Sequence, residues 1–378
     1  MDFRDSDSDG EFRAAARAAL ERAVAALPGA EPATIEDRLP YFRQFQRLIN
    51  QAGYAGMSWP RAYGGREATL TEQAIYLEEY DRAGAPDRLN TLGEGLAGPT
   101  IIDFGSEDQR RRFLPPILSG DEIWCQLFSE PAAGSDLAAL EARAVRDGDS
   151  WRVSGQKVWT SRAQVAAHGM LLARTGGGPR HKGITYFLLP MDAPGVTVRP
   201  LRHMLGEAEF NEVFLDDVVI GDDLRIGAVD GGWPVAMATL SYERVALATG
   251  RVNIRRLMQE LLDLVRGSGT VDAALRRQVA DLYARAQIQR VNGLRALASL
   301  ESGTPGPETS IGKLFSAPLV EDIADLACQL SGLDSQRDDG DPWLRLAYQA
   351  RGTSIAGGTT FIQRNIVAER VLGLPRSA

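Results

Sequence analysis

Lysine is almost missing from this chain of 378 residues: of its 42 basic residues, only Lys157, Lys182 and Lys313 are not arginine. A GC-rich genome is enough to account for that bias. Cysteine and histidine are scarce too, with Cys125, Cys328, His168, His181 and His203 making up the whole set. None of these has the close spacing of a zinc site, and no metal is expected. Two cysteines so far apart read as free thiols of a reducing compartment rather than as a disulfide. No uninterrupted apolar run reaches the ~18 residues that mark a membrane-spanning helix. The opening segment, MDFRDSDSDGEFR, is acidic and polar where a secretory signal is basic and apolar. A cytoplasmic location is therefore the expectation. A basic excess is also lacking. Asp and Glu number 50 against 42 for Lys and Arg, a formal charge of −8, which leaves no surplus of cations to neutralise nucleic-acid phosphates.

What is present is ordinary for a globular protein: 44% hydrophobic and 24% charged residues. The length suggests two or three domains, or one large layered fold. The periodicity divides the chain in three. Residues 1–121 read as helical, with candidates at Phe12 to Leu27, Tyr41 to Ala52, Leu70 to Ala83 and Asp108 to Ile117, separated by breakers such as Pro28-Gly29 and Trp59-Pro60. Residues 122–228 carry short runs rich in Val, Trp, Phe and Leu between turn-formers. These are Glu141 to Arg146, Trp151 to Ser161, Gly169 to Arg174, Ile184 to Pro190, Val196 to Pro200 and Glu212 to Val219. That spacing predicts a compact β-barrel or sandwich. Residues 229–378 return to helical spacing: Val235 to Arg266, Ala273 to Leu300, Ser310 to Leu330, Trp343 to Ala350 and Thr359 to Leu372.

Four segments could carry chemistry. Trp124 to Asp136 opens the β segment and ends in small residues, Ala132, Ala133, Gly134 and Ser135, that let a ligand approach the backbone; the plain alternative is a turn. Gly155 to Ser161 sets Trp159 beside Thr160 and Ser161, either an aromatic wall with hydroxyls or a core tryptophan. In the long helical stretch Glu243 falls on the apolar stripe of Ala236, Leu240 and Leu247. A carboxylate there is costly unless it is paired with an arginine of another helix or does chemistry. Gly357-Gly358 before Thr359 looks like a flexible entry to a helix whose free N–H groups favour an anion.

Taken in order, these segments resemble the acyl-CoA dehydrogenase family over essentially the whole chain. The resemblance is carried by Ser129 to Asp136, Gly155 to Ser161, Glu212 to Val218 and the C-terminal run from Gly357 to Arg376. It implies an α+β multi-domain fold: an N-terminal helical domain, a middle β-barrel domain and a C-terminal four-helix bundle. It also implies FAD, an acyl-CoA substrate and transfer of electrons to an electron-transfer flavoprotein. A carboxylate removes the α-proton while the β-hydrogen leaves as hydride to the flavin, and the product is a trans-2-enoyl-CoA. By match of position, Gln126, Phe128 and Ser129 line the flavin ring and its carbonyl edge. Gly134 and Ser135 lie on the phosphate side, Trp159 packs on the ring, Ser161 bonds near its reactive nitrogen, and Gly358 and Thr359 approach the adenosine diphosphate. Ser135 and Arg244 are the expected substrate contacts.

Three positions depart from the familiar pattern. Where many members carry the base, immediately before the C-terminal Gly-Thr, this chain has Gly357; Glu243-Arg244 matches the members whose base lies on the long helix. The Arg-x-x-Phe-Gly loop that follows this helix is replaced by Val265-Arg-Gly-Ser-Gly-Thr270, and Phe361 stands where a polar residue is usual. The last two departures resemble the actinobacterial steroid-type members that assemble as α2β2 from two unlike chains. A homotetramer, an α2β2 heterotetramer, a non-catalytic or FAD-sharing partner subunit, and a flavin oxidase or monooxygenase on the same fold all remain open.

Overall fold

The structure is a computed structural model that describes residues 5–32, 35–178, 180–248, 254–269, 271–301, 308–333 and 341–375. The side chains of residues 35–36, 243–248, 294, 297–301 and 308–309 also lie outside the description. The chain divides into two compact units, Met1–Glu243 and Arg244–Ala378.

The first unit opens with five helices: α1 (Asp7–Ala25), α2 (Ile35–Gln51), α3 (Leu70–Arg82), α4 (Gly98–Phe104) and α5 (Glu107–Ser119). Local chemistry sets their starts. Ser6, Thr69 and Ser106 accept N–H bonds of the first turns of α1, α3 and α5, and Asp9, Glu72 and Gln109 return the bond to the cap. The sequence pattern predicts no element between Ala83 and Asp108, yet a π-helical turn, Gly93–Ala97, runs there into α4. Its glycines read as breakers but serve packing. A Cβ on Gly98 would stand 1.8 Å from Cζ2 of Trp59, and the Trp59 indole donates to the Glu94 carbonyl at 2.9 Å.

Eight strands follow as one sheet: β1 (Trp124–Leu127), β2 (Arg143–Asp147), β3 (Ser150–Ser161), β4 (His168–Arg174), β5 (Ile184–Pro190), β6 (Val196–Leu201), β7 (Phe210–Gly221) and β8 (Arg225–Ile226). The order is β6-β7-β3-β2-β4-β5-β8, and β1 pairs in parallel with β4. In β4 and β5 every residue but the last is buried. The reason is two-sided cover. Leu171, Ala173, Phe187 and Leu189 face a core shared with β1, β2, β3 and β7. Met170, Leu172, Ile184, Tyr186 and Leu188 pack with Ile101, Phe113, Leu114 and Ile117 of the helices. Strands buried on both faces read as continuous apolar runs rather than alternating ones.

The first unit ends within α6 (Gly232–Ala248). The second unit holds α7 (Ile254–Gly267), α8 (Ala273–Glu301), α9 (Glu308–Ser331), α10 (Pro342–Thr353) and α11 (Thr360–Arg370). The predicted helix Val235 to Arg266 is thus represented by α6 and α7, with residues 249–253 outside the described ones. The core of this unit joins Met258 and Leu261 of α7, Leu282 of α8, and Leu319, Ile323 and Ala327 of α9. Among the described residues, no helix is long and apolar enough to cross a membrane.

Candidate functional site

The site grows from the end of β1 and the end of β3. Phe128 is buried and Ser129 half-buried; beyond Glu130 the chain makes a tight turn in which Glu130 and Ala133 exchange backbone bonds at 3.0 Å. Pro131, Ala132, Gly134 and Ser135 stand exposed around it. A Cβ on Gly134 would meet open space, so nothing in the first unit crowds this turn.

Two features tie the turn to β3. The Val158 N–H donates to the Ser129 carbonyl at 2.9 Å. Lys157, with no exposed surface, donates from Nζ to Glu130 Oε1 at 2.7 Å and to the Phe128 carbonyl at 3.3 Å. Burial pushes the Lys157 ammonium down to about 8, while the Glu130 carboxylate opposes that shift.

One extra residue in β3 then makes a bulge. Lys157 faces Val213 of β7, but Thr160 already faces Asn211. The bulge turns Trp159 outward: it is 64% exposed at φ +60°. A bulky side chain in that region costs about 1–3 kcal/mol and persists only where its surroundings impose it. Its ring meets Phe210 edge-on at 6.1 Å. The strands that carry this end of the sheet also hold polar atoms without partners: Gln126 Nε2 on β1 and Thr160 Oγ1 on β3 are buried and unbonded. An exposed apolar ring, two unsatisfied donors and a small-residue turn suit a planar heterocycle with carbonyl and ring-nitrogen acceptors. The residues expected to hold FAD on this unit, Gln126, Phe128, Ser129, Gly134, Ser135, Trp159 and Ser161, therefore fit such a group.

α6 is anchored to the same sheet. A Cβ on Gly232 would lie 2.7 Å from the backbone of Thr185 and Tyr186, so only glycine lets the helix start there. Thr239 shares a hydrogen bond with Thr100 of α4 at 2.8 Å, and the Tyr242 hydroxyl donates to Asp103. Burial first, and the Asp103 carboxylate second, push the Tyr242 phenol upward. Glu243 and Arg244 follow on the α6 backbone; their side chains lie outside the described residues.

Gly358 and Thr359 belong to the second unit. Gly357 (φ +65°) and Gly358 (φ +90°) take backbone conformations that L side chains rarely adopt. Lys313 of α9 donates to the carbonyls of Ala356 and Gly358, the latter at 2.8 Å, and Gln363 donates to the Gly357 carbonyl at 3.1 Å. Thr359 caps α11 by accepting the Ile362 N–H. Phe361 is 73% exposed.

Glu130 and Lys157 are absent from the residues that sequence reasoning singles out. The signal was available: a lysine inside a strand of a chain that otherwise uses arginine.

Comparison with known proteins agrees with this architecture. Three family models match in order: the acyl-CoA dehydrogenase N-terminal domain over residues 6–121, the middle domain over 125–218 and the C-terminal domain over 230–372. The chain is 42% identical to the acyl-CoA dehydrogenase IpdE1 of Mycobacterium tuberculosis, over 93% of this chain and 91% of that protein. Among solved structures it resembles the Tcur3481-Tcur3483 steroid ACAD, with TM-score 0.86 and 29% identity over the full length of both chains. It also resembles the ChsE4-ChsE5 complex from Mycobacterium tuberculosis, with TM-score 0.85, 29% identity and the same full coverage. The chain belongs to the acyl-CoA dehydrogenase family, whose members are oxidoreductases and normally flavoproteins that depend on FAD.

Proposed function

We propose that this chain removes one hydrogen each from the α and β carbons of an acyl-CoA thioester, leaving a trans-2-enoyl-CoA. FAD serves the site, and an electron-transfer flavoprotein collects the electrons. When bound, FAD accepts the β-hydrogen together with its electron pair. The remaining work falls to the chain. Gln126, Phe128 and Ser129 orient the ring edge, Trp159 covers the ring and excludes water from the reacting carbons, and Ser161 adds a hydrogen bond. In the first unit Gly134 and Ser135 serve the flavin and CoA phosphate side; in the second unit Gly358 and Thr359 offer their backbone to an adenosine diphosphate. Ser135 of the first unit and Arg244 of the second are substrate contacts. Glu243 takes the α-proton; its alternative, Gly357, has no side chain to do so. The observation that carries this reading is the outward Trp159 on its strained bulge, together with the unsatisfied Gln126 and Thr160. By analogy with the steroid ACAD, the acyl group is steroid-derived, and the assembly is α2β2 with an unlike chain, as the two-chain complexes suggest, or a homotetramer.

Glu243→Gln tests the base. The variant retains the side-chain shape and should bind FAD and acyl-CoA, yet reduce its flavin at least ~10²-fold more slowly in stopped-flow, the low end for loss of a general base. Near-normal reduction would mean that another group takes the proton. A second reading, a FAD-sharing partner subunit, is favoured by the likeness to the ChsE4-ChsE5 complex. It predicts that the chain alone neither retains FAD nor oxidises any thioester in a screen of straight, branched and steroid-derived acyl-CoAs.

A further inference from the structure

Glu130 and Lys157 are charged, buried and without a part in the chemistry above. Their contacts are almost all to backbone. Glu130 Oε2 accepts the Glu141 N–H at 2.5 Å, and Oε1 accepts the Ala142 N–H at 3.0 Å together with the Lys157 ammonium at 2.7 Å. Lys157 adds the Phe128 carbonyl at 3.3 Å. One ion pair thus grips the end of β1, the entry to β2 and the stretch of β3 two residues before the bulge. An apolar pair of the same size would remove the desolvation cost of burying two charges. It would also strand one carbonyl and two N–H groups, each costly when buried without a partner.

We propose that the Glu130–Lys157 pair is the positioning device of the flavin site: it clamps the turn after β1 to the bulge of β3 and so holds Ser129 and Trp159 in register to receive FAD. This rests on the placement of FAD proposed above. Neither residue touches the flavin in this scheme; both act through the backbone they fix. The Val158 N–H bond to the Ser129 carbonyl runs beside the pair and joins the same two segments. Lysine suits the role because its compact head can serve two acceptors in a space without solvent.

The experiment uses the full-length chain in three forms. Glu130→Gln/Lys157→Met removes both charges without leaving one unpaired. Glu130→Asp keeps the charge but withdraws the carboxylate by one methylene. Trp159→Ala tests the flavin's placement directly. Amide hydrogen exchange of the apoprotein is read at Glu141, Ala142 and Val158. FAD affinity and the visible circular dichroism of bound flavin are read by titration. In the folded double variant the three amides should exchange at least about tenfold faster, the flavin dichroism should change, and the FAD Kd should rise at least about tenfold. Exchange and Kd within about twofold of the parent in that variant overturn the inference. If the double variant fails to fold, the same lack of effect in Glu130→Asp overturns it. A Trp159→Ala variant that disturbs the flavin while the pair variants do not defeats the inference alone. A Trp159→Ala variant without effect defeats the placement of the flavin.

Discussion

The two glycine- and hydroxyl-rich segments that carry the family's motifs are each held by a lysine, but in opposite ways. In the first unit Lys157 is fully buried and faces the Glu130 carboxylate, and the left-handed position beside it is filled by Trp159. In the second unit Lys313 is half-buried and serves the Ala356 and Gly358 carbonyls, and the left-handed positions are filled by Gly357 and Gly358. The first arrangement keeps a strained, bulky residue in place by a rigid electrostatic clamp. The second needs no strain, because glycine adopts these angles freely. An aromatic group that must face a ligand at a fixed angle calls for the first solution. A turn that offers only backbone is served by the second.

The contrast is open to attack, most severely at the clamp. Lys157→Met leaves the Glu130 carboxylate buried and unpaired, which should destabilise the first unit by about 3–5 kcal/mol. Lys313→Met should cost the second unit only about 1 kcal/mol, because solvent can replace its bonds. Denaturant melts of the two variants would show this, and equal losses would erase the distinction.

Proton linkage gives a second handle. The Lys157 ammonium sits at about 8 in the folded chain and near its ordinary value of 10.5 in the unfolded one. Between those values the unfolded state binds more protons, so this residue makes stability rise with pH, by at most ~1.4 kcal/mol per pH unit. Below pH 8 both states hold the proton and the slope vanishes. The difference between parent and Glu130→Gln/Lys157→Met melts across pH 8 to 10.5 reads this contribution without a stranded carboxylate; a flat difference would place the ammonium outside that window.

Smaller effects follow at the backbone. Gly358→Ala forces a side chain to φ +90° with its Cβ 2.7 Å from Gln363 Nε2. It should cost about 1–2 kcal/mol in thermal melts, and a neutral result would show that the turn relaxes. Trp159→Asn should do the reverse. Asparagine tolerates the left-handed region, and the exposed indole loses little burial, so the first unit should gain up to about 1 kcal/mol while losing FAD affinity. A loss of stability would mean that Trp159 is not strained.

Helices and strands were legible in α3 and β3, where burial falls on one face, and in β4 and β5, where it falls on two; the first turns of α2, ahead of Pro40, were not. The π-helical turn and α4 were not, because Gly93, Gly95, Gly98 and Pro99 carry the signature of a loop. What overrides it is tertiary: Trp59 needs the space over Gly98, and Glu94 finds Gln46, Arg88 and the Gly56 N–H inside the first unit. For the site, the motifs pointed to Ser129 and Trp159 but not to what fixes them. A buried ion pair leaves no periodic trace; the mark it leaves is compositional, a lysine inside a strand of an arginine-rich chain. Strain is silent in sequence, and nothing in Lys-Val-Trp-Thr announces a bulge.

The buried ammonium also has a consequence for how this gene can drift. Every lysine codon lies a single nucleotide from an arginine codon. At Lys182, exposed on a turn, the exchange meets no steric obstacle. At position 157 the side chain ends in a space closed to solvent, between the Glu130 carboxylate and the Phe128 carbonyl. A guanidinium is wider, planar and always charged, and it would have to displace the turn that it is meant to hold. At this position the interior opposes an exchange that one nucleotide change offers, so Lys157→Arg should disturb the first unit where Lys182→Arg does not.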